Sequence, residues 1–257
     1  MRIDILTLFP EMFPDVLSAS ILGRAAEGGF ASYHLHDIRE YADNKHRKVD
    51  DRPFGGGPGM VMMCQPLYDA VIAAERQDER PAKRILLTPQ GEPLRQERIE
   101  SLATEDRLLL IAGHYEGVDE RVIDELEPLE ISAGDYVLSG GELPAMMLVD
   151  AVVRLLPGVL GHEDSAAEDS FAARDFPPSG IGKEGGSVGG ACGGTFAGGG
   201  RRLLDCPHYT RPRIWKDRAV PEVLLSGDHA AVEEWRKKQM IERTRKRRPD
   251  LLEDRDP

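Results

Sequence analysis

Apolar and polar positions alternate between strand and helix patterns from the first residues of the chain. Residues 2–9 alternate in the manner of a β-strand, and the stretch from about 12 to 26 predicts a helix that ends at Gly28-Gly29. A second strand is predicted at 32–38. The chain therefore begins with a strand, a helix and a strand.

The same alternation continues through the next hundred residues. We predict helices at 67–75, 94–102, 120–126 and 142–155, with buried strands at 84–87 and 108–111. Strands that alternate with helices are typical of an α/β fold with a mostly parallel sheet covered by helices.

Residues 129–145 join a short apolar strand to a helix through an irregular loop. Glycines at 134, 140 and 141 let the backbone turn sharply and approach a ligand closely. The motif of a phosphate-binding loop is absent, because no Gly-Lys-Ser/Thr follows. A helix capped by Ser139 or a neighbour explains the same residues without any ligand, and both interpretations stay open on this stretch alone.

A second candidate segment is the apolar run that begins at Arg107 and ends in Gly113 and a polar turn. A continuous apolar run of this length is typical of a strand buried on both faces of a parallel sheet. Its end can lie beside the glycine loop.

Composition limits the class of protein. The 257 residues can form one large domain or two small ones, and three scattered cysteines argue against a disulfide framework or a zinc site. Without a leader pattern or an apolar run of about 18 residues, we expect a soluble, cytoplasmic protein that spans no membrane.

Charge is distributed unevenly along the chain. The net charge is -12, but residues 201–257 carry 15 Lys and Arg against 11 Asp and Glu. Eight basic residues and one acidic residue fall within 236–248. Such a run either pairs with phosphates or forms a solvated helix face, and the sequence alone favours the solvated face.

Several motifs together resemble the bacterial tRNA (guanine-37-N1)-methyltransferases of the SPOUT superfamily. The resemblance rests on GHYEGVDER (113–121) and SAGDYVLSGGELPA (132–145), and it extends to LTLFPEMF (6–13), DNKHRKVDDRPFGGGPGM (43–60), PGVLG (157–161), EDSF (168–171) and LDCPHYTRP (204–212). It covers nearly the whole chain.

The resemblance implies a particular architecture. Residues 1–160 are expected to form the domain that binds S-adenosylmethionine and to contain a deep trefoil knot. Segments 84–91, 111–117 and 132–141 are expected to form its cofactor pocket. Residues 203–257 are expected to form a small, mainly helical domain that binds tRNA. The intervening 161–202 hold a catalytic loop and a glycine-rich insertion of about 173–202, whose match to Gly-x-Gly-x-x-Gly at 180–185 we attribute to chance.

The resemblance also implies a cofactor pocket that main-chain groups line, with a homodimer whose second subunit completes the active site. Ala133 and His114 depart from the usual isoleucine and arginine. The expected cofactor-binding residues are Leu87, Pro89, Gly113, Tyr115, Glu116, Ala133, Gly134, Asp135, Tyr136, Val137, Leu138, Gly140 and Gly141.

The resemblance implies that two residues carry the chemistry of methylating guanine N1. Asp169 is the expected general base, with Glu168 beside it raising its proton affinity. Arg154 is the expected cation that stabilises charge on O6, for which its planar guanidinium is suited. From the residues alone, Asp169 is a solvated carboxylate and Arg154 a complement to the helix dipole. The transfer itself needs no metal, although the sequence leaves a requirement for Mg²⁺ open.

Contacts to the anticodon arm around G37 are expected from two surfaces and from the catalytic loop. The glycine-proline loop at 51–59 is either a compact turn or part of the RNA-facing surface. The expected substrate-binding residues are His46, Asp50, Arg52, Ser170, Arg243 and Arg247. The alternatives are a ribose 2'-O-methyltransferase of the same superfamily and an RNA-binding protein without catalytic activity.

Overall fold

The computed structural model describes residues 1–161, 169–174 and 201–252, which fall into two compact units. The first unit comprises residues 1–161, and the second lies within 162–257.

The first unit contains a sheet of five parallel strands in the order β2-β1-β6-β5-β7. A two-stranded antiparallel hairpin, β3 and β4, stands apart from this sheet. The strands are β1 (Arg2–Thr7), β2 (Ser32–Asp37), β3 (Asp50–Asp51), β4 (Val61–Met62), β5 (Lys83–Pro93), β6 (Arg107–Ala112) and β7 (Leu129–Ser132). The prediction of an α/β fold with a parallel sheet is confirmed, and the trefoil knot stays a prediction.

Helices cover both faces of the sheet. They are α1 (Pro14–Leu17), α2 (Ser20–Glu27), α3 (Cys64–Glu75), α4 (Gln96–Leu102), α5 (Glu120–Leu126) and α6 (Glu142–Val153). Alternate residues of β6 enter different cores: Leu108 and Leu110 pack with α1, α2, α4 and α6, whereas Leu109 and Ile111 pack with α3 and α5. This central strand is buried on both faces, as its continuous apolar run predicts.

A buried charge cluster fixes the amino-terminal edge of the sheet. Asp4 is fully buried in β1 and accepts hydrogen bonds from Arg2, His36 and Arg107. Burial opposes ionisation of Asp4, but the hydrogen bonds outweigh it and hold the pKa of this carboxyl well below its ordinary value. Arg107 also donates to the carbonyl oxygen of Ala74, which ties the end of α3 to the sheet.

One local prediction is wrong, and the structure decides against one alternative that the sequence left open. The helix expected at 12–26 is broken into α1 and α2, because Ser20 has a left-handed backbone (φ 49°) and the Ser18 carbonyl oxygen lies 2.2 Å from an ideal Cβ on Gly23. Ser139 does not cap α6, whose N-cap is Gly141 with no side-chain cap hydrogen bond.

β5 is also longer than the predicted 84–87. It pairs with β7 on both sides of an irregularity between Leu87 and Glu92, which lets the chain loop out between the two paired stretches.

The second unit is small and is built around one long helix. Its elements are β8 (Ala173–Arg174), β9 (Arg201–Arg202), β10 (Ile214–Trp215), β11 (Arg218–Ala219) and α7 (His229–Arg247). Leu203, Cys206 and Met240 form its buried cluster. β8 and β9 pair antiparallel, so the two described ends of the predicted insertion lie side by side. Among the described residues, no helix has the length and apolar character that crossing a bilayer requires.

Candidate active site

A cavity of about 360 Å³ lies where three neighbouring strands of the sheet end. β5, β6 and β7 contribute the residues at or near their carboxyl ends, among them Leu87, Gly113 and Ser132. In open parallel sheets this edge is the usual place for a ligand.

The structure brings together twelve of the thirteen residues that the sequence suggested for the cofactor. Asp135 does not line the cavity, although its neighbours on both sides do. The twelve are Leu87, Pro89, Gly113, Tyr115, Glu116, Ala133, Gly134, Tyr136, Val137, Leu138, Gly140 and Gly141.

Backbone contacts between glycines join two walls of the cavity. The amide of Gly141 donates to the carbonyl oxygen of Gly113 over 2.7 Å. An ideal Cβ on Gly141 would lie 2.8 Å from the Gly113 nitrogen and 2.9 Å from the Ala112 Cα, so a side chain there would force the backbone to move. Gly134 has φ 155° and packs under the Tyr136 ring. Glycine is therefore a geometric requirement at Gly141.

One wall of the cavity is apolar and open. Tyr136, Val137 and Leu138 are 52%, 84% and 40% exposed. Contiguous exposed apolar side chains are typical of surfaces that a ligand or a partner covers.

The glycine-proline loop lies against the cavity. The Glu116 amide donates to the carbonyl oxygen of Met60 over 3.0 Å, and an ideal Cβ on Gly59 would overlap the Glu116 side chain. Burial, and then the neighbouring Asp50 carboxylate, raise the pKa of the Tyr115 hydroxyl. Asp50 therefore lies beside the cavity, which links an expected substrate residue to an expected cofactor residue.

His46 and Arg52, the other two substrate candidates of this surface, are both exposed. The loop between them and the cavity also carries Phe54, which is 98% exposed.

A buried polar cluster behind the cavity was missed by sequence reasoning. Glu142 is 2% exposed and accepts a hydrogen bond from the Thr7 hydroxyl over 2.9 Å. His114 lies on the other side of its carboxylate. The sequence placed Glu142 only in the first turn of a helix, and no local signal joins it to Thr7, 135 residues earlier.

Arg154 follows α6 on an exposed face of that helix. It is the C-cap residue, and it shares this face with Asp150 and with the apolar residues Met147 and Leu143. Leu143 and Met147 are 51% and 49% exposed. The expected O6-stabilising arginine therefore stands at the end of an exposed, partly apolar face.

Asp169 belongs to the second unit, and hydrogen bonds tie the two residues that follow it to residues 203–205. The Asp205 amide donates to the Ser170 hydroxyl over 2.9 Å, and the Phe171 amide donates to the carbonyl oxygen of Leu203 over 2.9 Å. These bonds place the expected base and Ser170 beside the start of the LDCPHYTRP motif. Glu168, its expected helper, lies outside the described residues.

Helical spacing in the basic run predicts that Arg236, Arg243 and Arg247 lie opposite the apolar face shared by Val232 and Trp235, and α7 corrects this for one of them. Arg243 does not lie opposite the buried face: it is partly buried between Met240 and Thr244 in sequence, and it donates to the carbonyl oxygen of Asp205. Arg247 is exposed, as are Arg245 and Lys246. The exposed basic residues of the helix are therefore Arg236, Lys237 and Lys238 in its middle and the stretch 245–247 at its end.

The parallel sheet with its glycine-lined cavity defines an α/β protein with a ligand site at the carboxyl ends of the strands. The sequence profile of the family described as tRNA (Guanine-1)-methyltransferase TrmD matches residues 1–178 and 194–254. The chain belongs to this family and is an enzyme that methylates guanine in tRNA. The unmatched residues 179–193 lie within the segment interpreted as an insertion.

Relatives from distant bacteria match the chain over nearly its whole length. The tRNA (guanine-N(1)-)-methyltransferase of Pseudomonas putida strain W619 is 49% identical over 255 residues, which cover 99% of this chain and 91% of the relative. The protein of that name from Anoxybacillus flavithermus is 50% identical over 253 residues, covering 98% and 92%. That of Halorhodospira halophila is 50% identical over 251 residues, covering 98% and 84%.

Proposed function

We propose that this enzyme transfers a methyl group from S-adenosylmethionine to N1 of guanosine 37 in tRNA. The observation that carries the proposal is the cavity at the ends of β5, β6 and β7, where twelve residues expected to bind the cofactor converge. Membership of the family supports a guanine of tRNA as the substrate. The size and position of the cavity support the binding of a small cofactor there.

The cavity fits the proposed cofactor on two counts. Its volume of about 360 Å³ is in the range of small-ligand pockets. Gly113 and Gly141 keep the wall free of Cβ atoms at a point where backbone groups already lie within 3 Å of each other. Main-chain donors and acceptors at such a point can bind adenine and ribose hydroxyls without a charged side chain.

When bound, S-adenosylmethionine supplies a methyl group already activated by its sulfonium. Asp169 accepts the N1 proton of the guanine, so that the nitrogen lone pair becomes available for bond formation. Arg154 donates hydrogen bonds to O6, where negative charge develops as the proton leaves. The enzyme otherwise contributes orientation, and the transfer requires no metal ion.

The RNA surface is proposed to include the exposed end of α7 and the loop beside the cavity. Arg245, Lys246 and Arg247 give α7 an outward cationic end that suits phosphates of the anticodon arm. Asp50, in contact with Tyr115, places a carboxylate where it can meet the target base. A substrate of this kind fits a cytoplasmic enzyme.

A homodimer is proposed because the face of α6 that ends in Arg154 exposes apolar side chains among the residues that the structure describes. Leu143 and Met147 expose apolar area on the face of α6 that ends in Arg154. An exposed apolar face beside a catalytic arginine is stabilised when a second subunit packs on it. In this arrangement Asp169 of the second unit completes the site that holds Arg154 of the other subunit.

The test is transfer of labelled methyl from S-adenosylmethionine to tRNA transcripts carrying G37 or A37. We expect label only in the G37 transcript, recovered after digestion as 1-methylguanosine. Label recovered as a 2'-O-methylated nucleoside would contradict the proposed reaction. Repeating the assay with chelator and with added Mg²⁺ determines whether the ion contributes.

A further inference from the structure

A buried carboxylate and a histidine face each other behind the cavity. The side chain of Glu142 is 3% exposed, and its Oε1 accepts the hydrogen bond from Thr7. Its other oxygen, Oε2, lies 3.6 Å from Nδ1 of His114, whose side chain is 20% exposed. That separation is longer than a hydrogen bond but within reach of a small rotation.

The Nδ1 atom of His114 is buried and has no hydrogen-bond partner among the described residues. The ring packs between Phe9 and Tyr115, with each ring centre 5.0 Å away. Buried polar atoms in folded proteins are almost always hydrogen-bonded, so an orphaned nitrogen beside a carboxylate needs an explanation.

This pair stands directly behind the point where the two walls of the cavity meet. His114 and Gly140 form an isolated backbone bridge. An ideal Cβ on Gly140 would lie 2.2 Å from Glu142 Oε2 and 2.4 Å from His114 Nδ1. The backbone at Gly140 therefore packs against both side chains. A change in the distance between His114 and Glu142 moves this part of the cavity wall.

We propose that His114 and Glu142 are a proton-controlled positioning pair that sets the affinity for S-adenosylmethionine. Protonated His114 donates Nδ1–H to Glu142 and draws the Gly140 turn against the wall that follows β6. Neutral His114 leaves the turn less constrained. The inference rests on the proposed cofactor.

Histidine is the side chain that changes charge near neutral pH, so this pair responds to conditions in which an arginine would stay charged. Glu142 is the acidic partner facing the ring. The other charged groups near the two flanking rings are Arg39, 5.5 Å from the Phe9 ring centre, and Asp50, beside Tyr115. Binding linked to the protonated form must be tightest at low pH and weaken as pH rises.

Calorimetric affinity of the full chain for S-adenosylmethionine, measured from about pH 6 to 8.5, tests this linkage. The variants are His114→Gln, which keeps polarity without titrating, and His114→Arg, which keeps a fixed charge. Across this pH range, we expect the affinity of the wild type to fall about tenfold more than that of His114→Gln. A tenfold change corresponds to the free energy that a charge-assisted hydrogen bond contributes. His114→Arg should bind tightly throughout. Titration of the cofactor itself affects all three proteins alike and cancels in the comparison.

Glu142→Gln is a second test variant, and thermal unfolding checks that it folds. Its affinity for S-adenosylmethionine should lack the part of the pH dependence that His114 causes. Identical profiles in wild type and His114→Gln would overturn the inference while leaving the cofactor assignment in place. Failure of the wild type to bind S-adenosylmethionine at any pH would overturn the proposed function, and this inference with it.

Discussion

The two units of this chain present their candidate ligand surfaces by opposite means. In the first unit the cavity is formed by backbone that internal contacts already fix, such as the bond from Gly141 to Gly113. In the second unit the proposed RNA surface consists of exposed side chains at the end of α7, such as Arg247. Binding in the cavity should therefore depend on the shape of the backbone. Binding to the exposed side chains should depend on their charge and on the salt concentration.

Net charge alone conceals this division. The chain as a whole is acidic, which argues against a nucleic-acid partner, yet its last 57 residues are basic on balance. A protein that binds a compact cofactor in one unit and RNA phosphates through another needs cationic surface only in the second. The charge of these last 57 residues, and not that of the whole chain, is therefore the informative quantity.

The largest expected effect comes from removing the proposed general base, Asp169, in the second unit. Asp169→Asn keeps the size of the side chain but cannot accept the N1 proton, so single-turnover transfer should fall by about 10²-fold or more. Binding of S-adenosylmethionine, measured by calorimetry, should be unchanged because the cavity belongs to the first unit. Asp124→Asn, an exposed carboxylate on α5, is the control and should retain full transfer. Near wild-type transfer by Asp169→Asn would refute the general-base role.

A change of shape in the first unit is expected to have the opposite outcome, which is a loss of cofactor binding. A side chain at Gly140 meets His114 and Glu142, not backbone, so Gly140→Val should fold yet displace the cavity wall. We expect S-adenosylmethionine affinity to fall by about 10²-fold, as misplacements near 1 Å can cause.

Gly161→Val is the matched control for this change, because an added Cβ there meets nothing within 4 Å. Thermal unfolding should be close to wild type for both proteins. Wild-type cofactor affinity in a folded Gly140→Val protein would remove the cavity assignment.

The smallest effect is expected from a change of charge in the second unit. Arg247→Glu should weaken tRNA binding several-fold and lower its salt slope by about one, with cofactor affinity unchanged. Arg76→Glu, an exposed residue at the end of α3, makes the same change of charge on the first unit and should leave tRNA affinity unaltered. Equal salt slopes for wild type and Arg247→Glu would mean that the end of α7 is only a solvated face.

Features that depend on local pattern could be predicted from the sequence. The apolar run at Leu108–Leu110 predicted a strand buried on both faces, and it enters both cores. The break between α1 and α2 could not be predicted, because the left-handed Ser20 and the close approach of Ser18 to Gly23 depend on the tertiary fold. Periodicity measures spacing along one element and carries no information about such contacts.

The candidate site shows the same limit. Motif resemblance brought the cavity residues together, yet it included Asp135, which the loop turns away from the cavity. Helical spacing placed Arg243 on an outer face, because spacing alone does not reveal that Met240 and Thr244 form the buried side of α7. Thr7, His114 and Glu142 meet only through the fold, so their cluster left no signal in the sequence.

Mixing two inactive variants tests most directly whether the halves of the site come from different subunits. Arg154→Ala and Asp169→Asn proteins would be combined, exchanged under mild denaturant and assayed for single-turnover methyl transfer to G37 tRNA. If Arg154 of one subunit works with Asp169 of the other, the mixed dimers contain one intact site, and activity should recover to about a quarter of wild type. A mixture no more active than the separate variants would contradict the account.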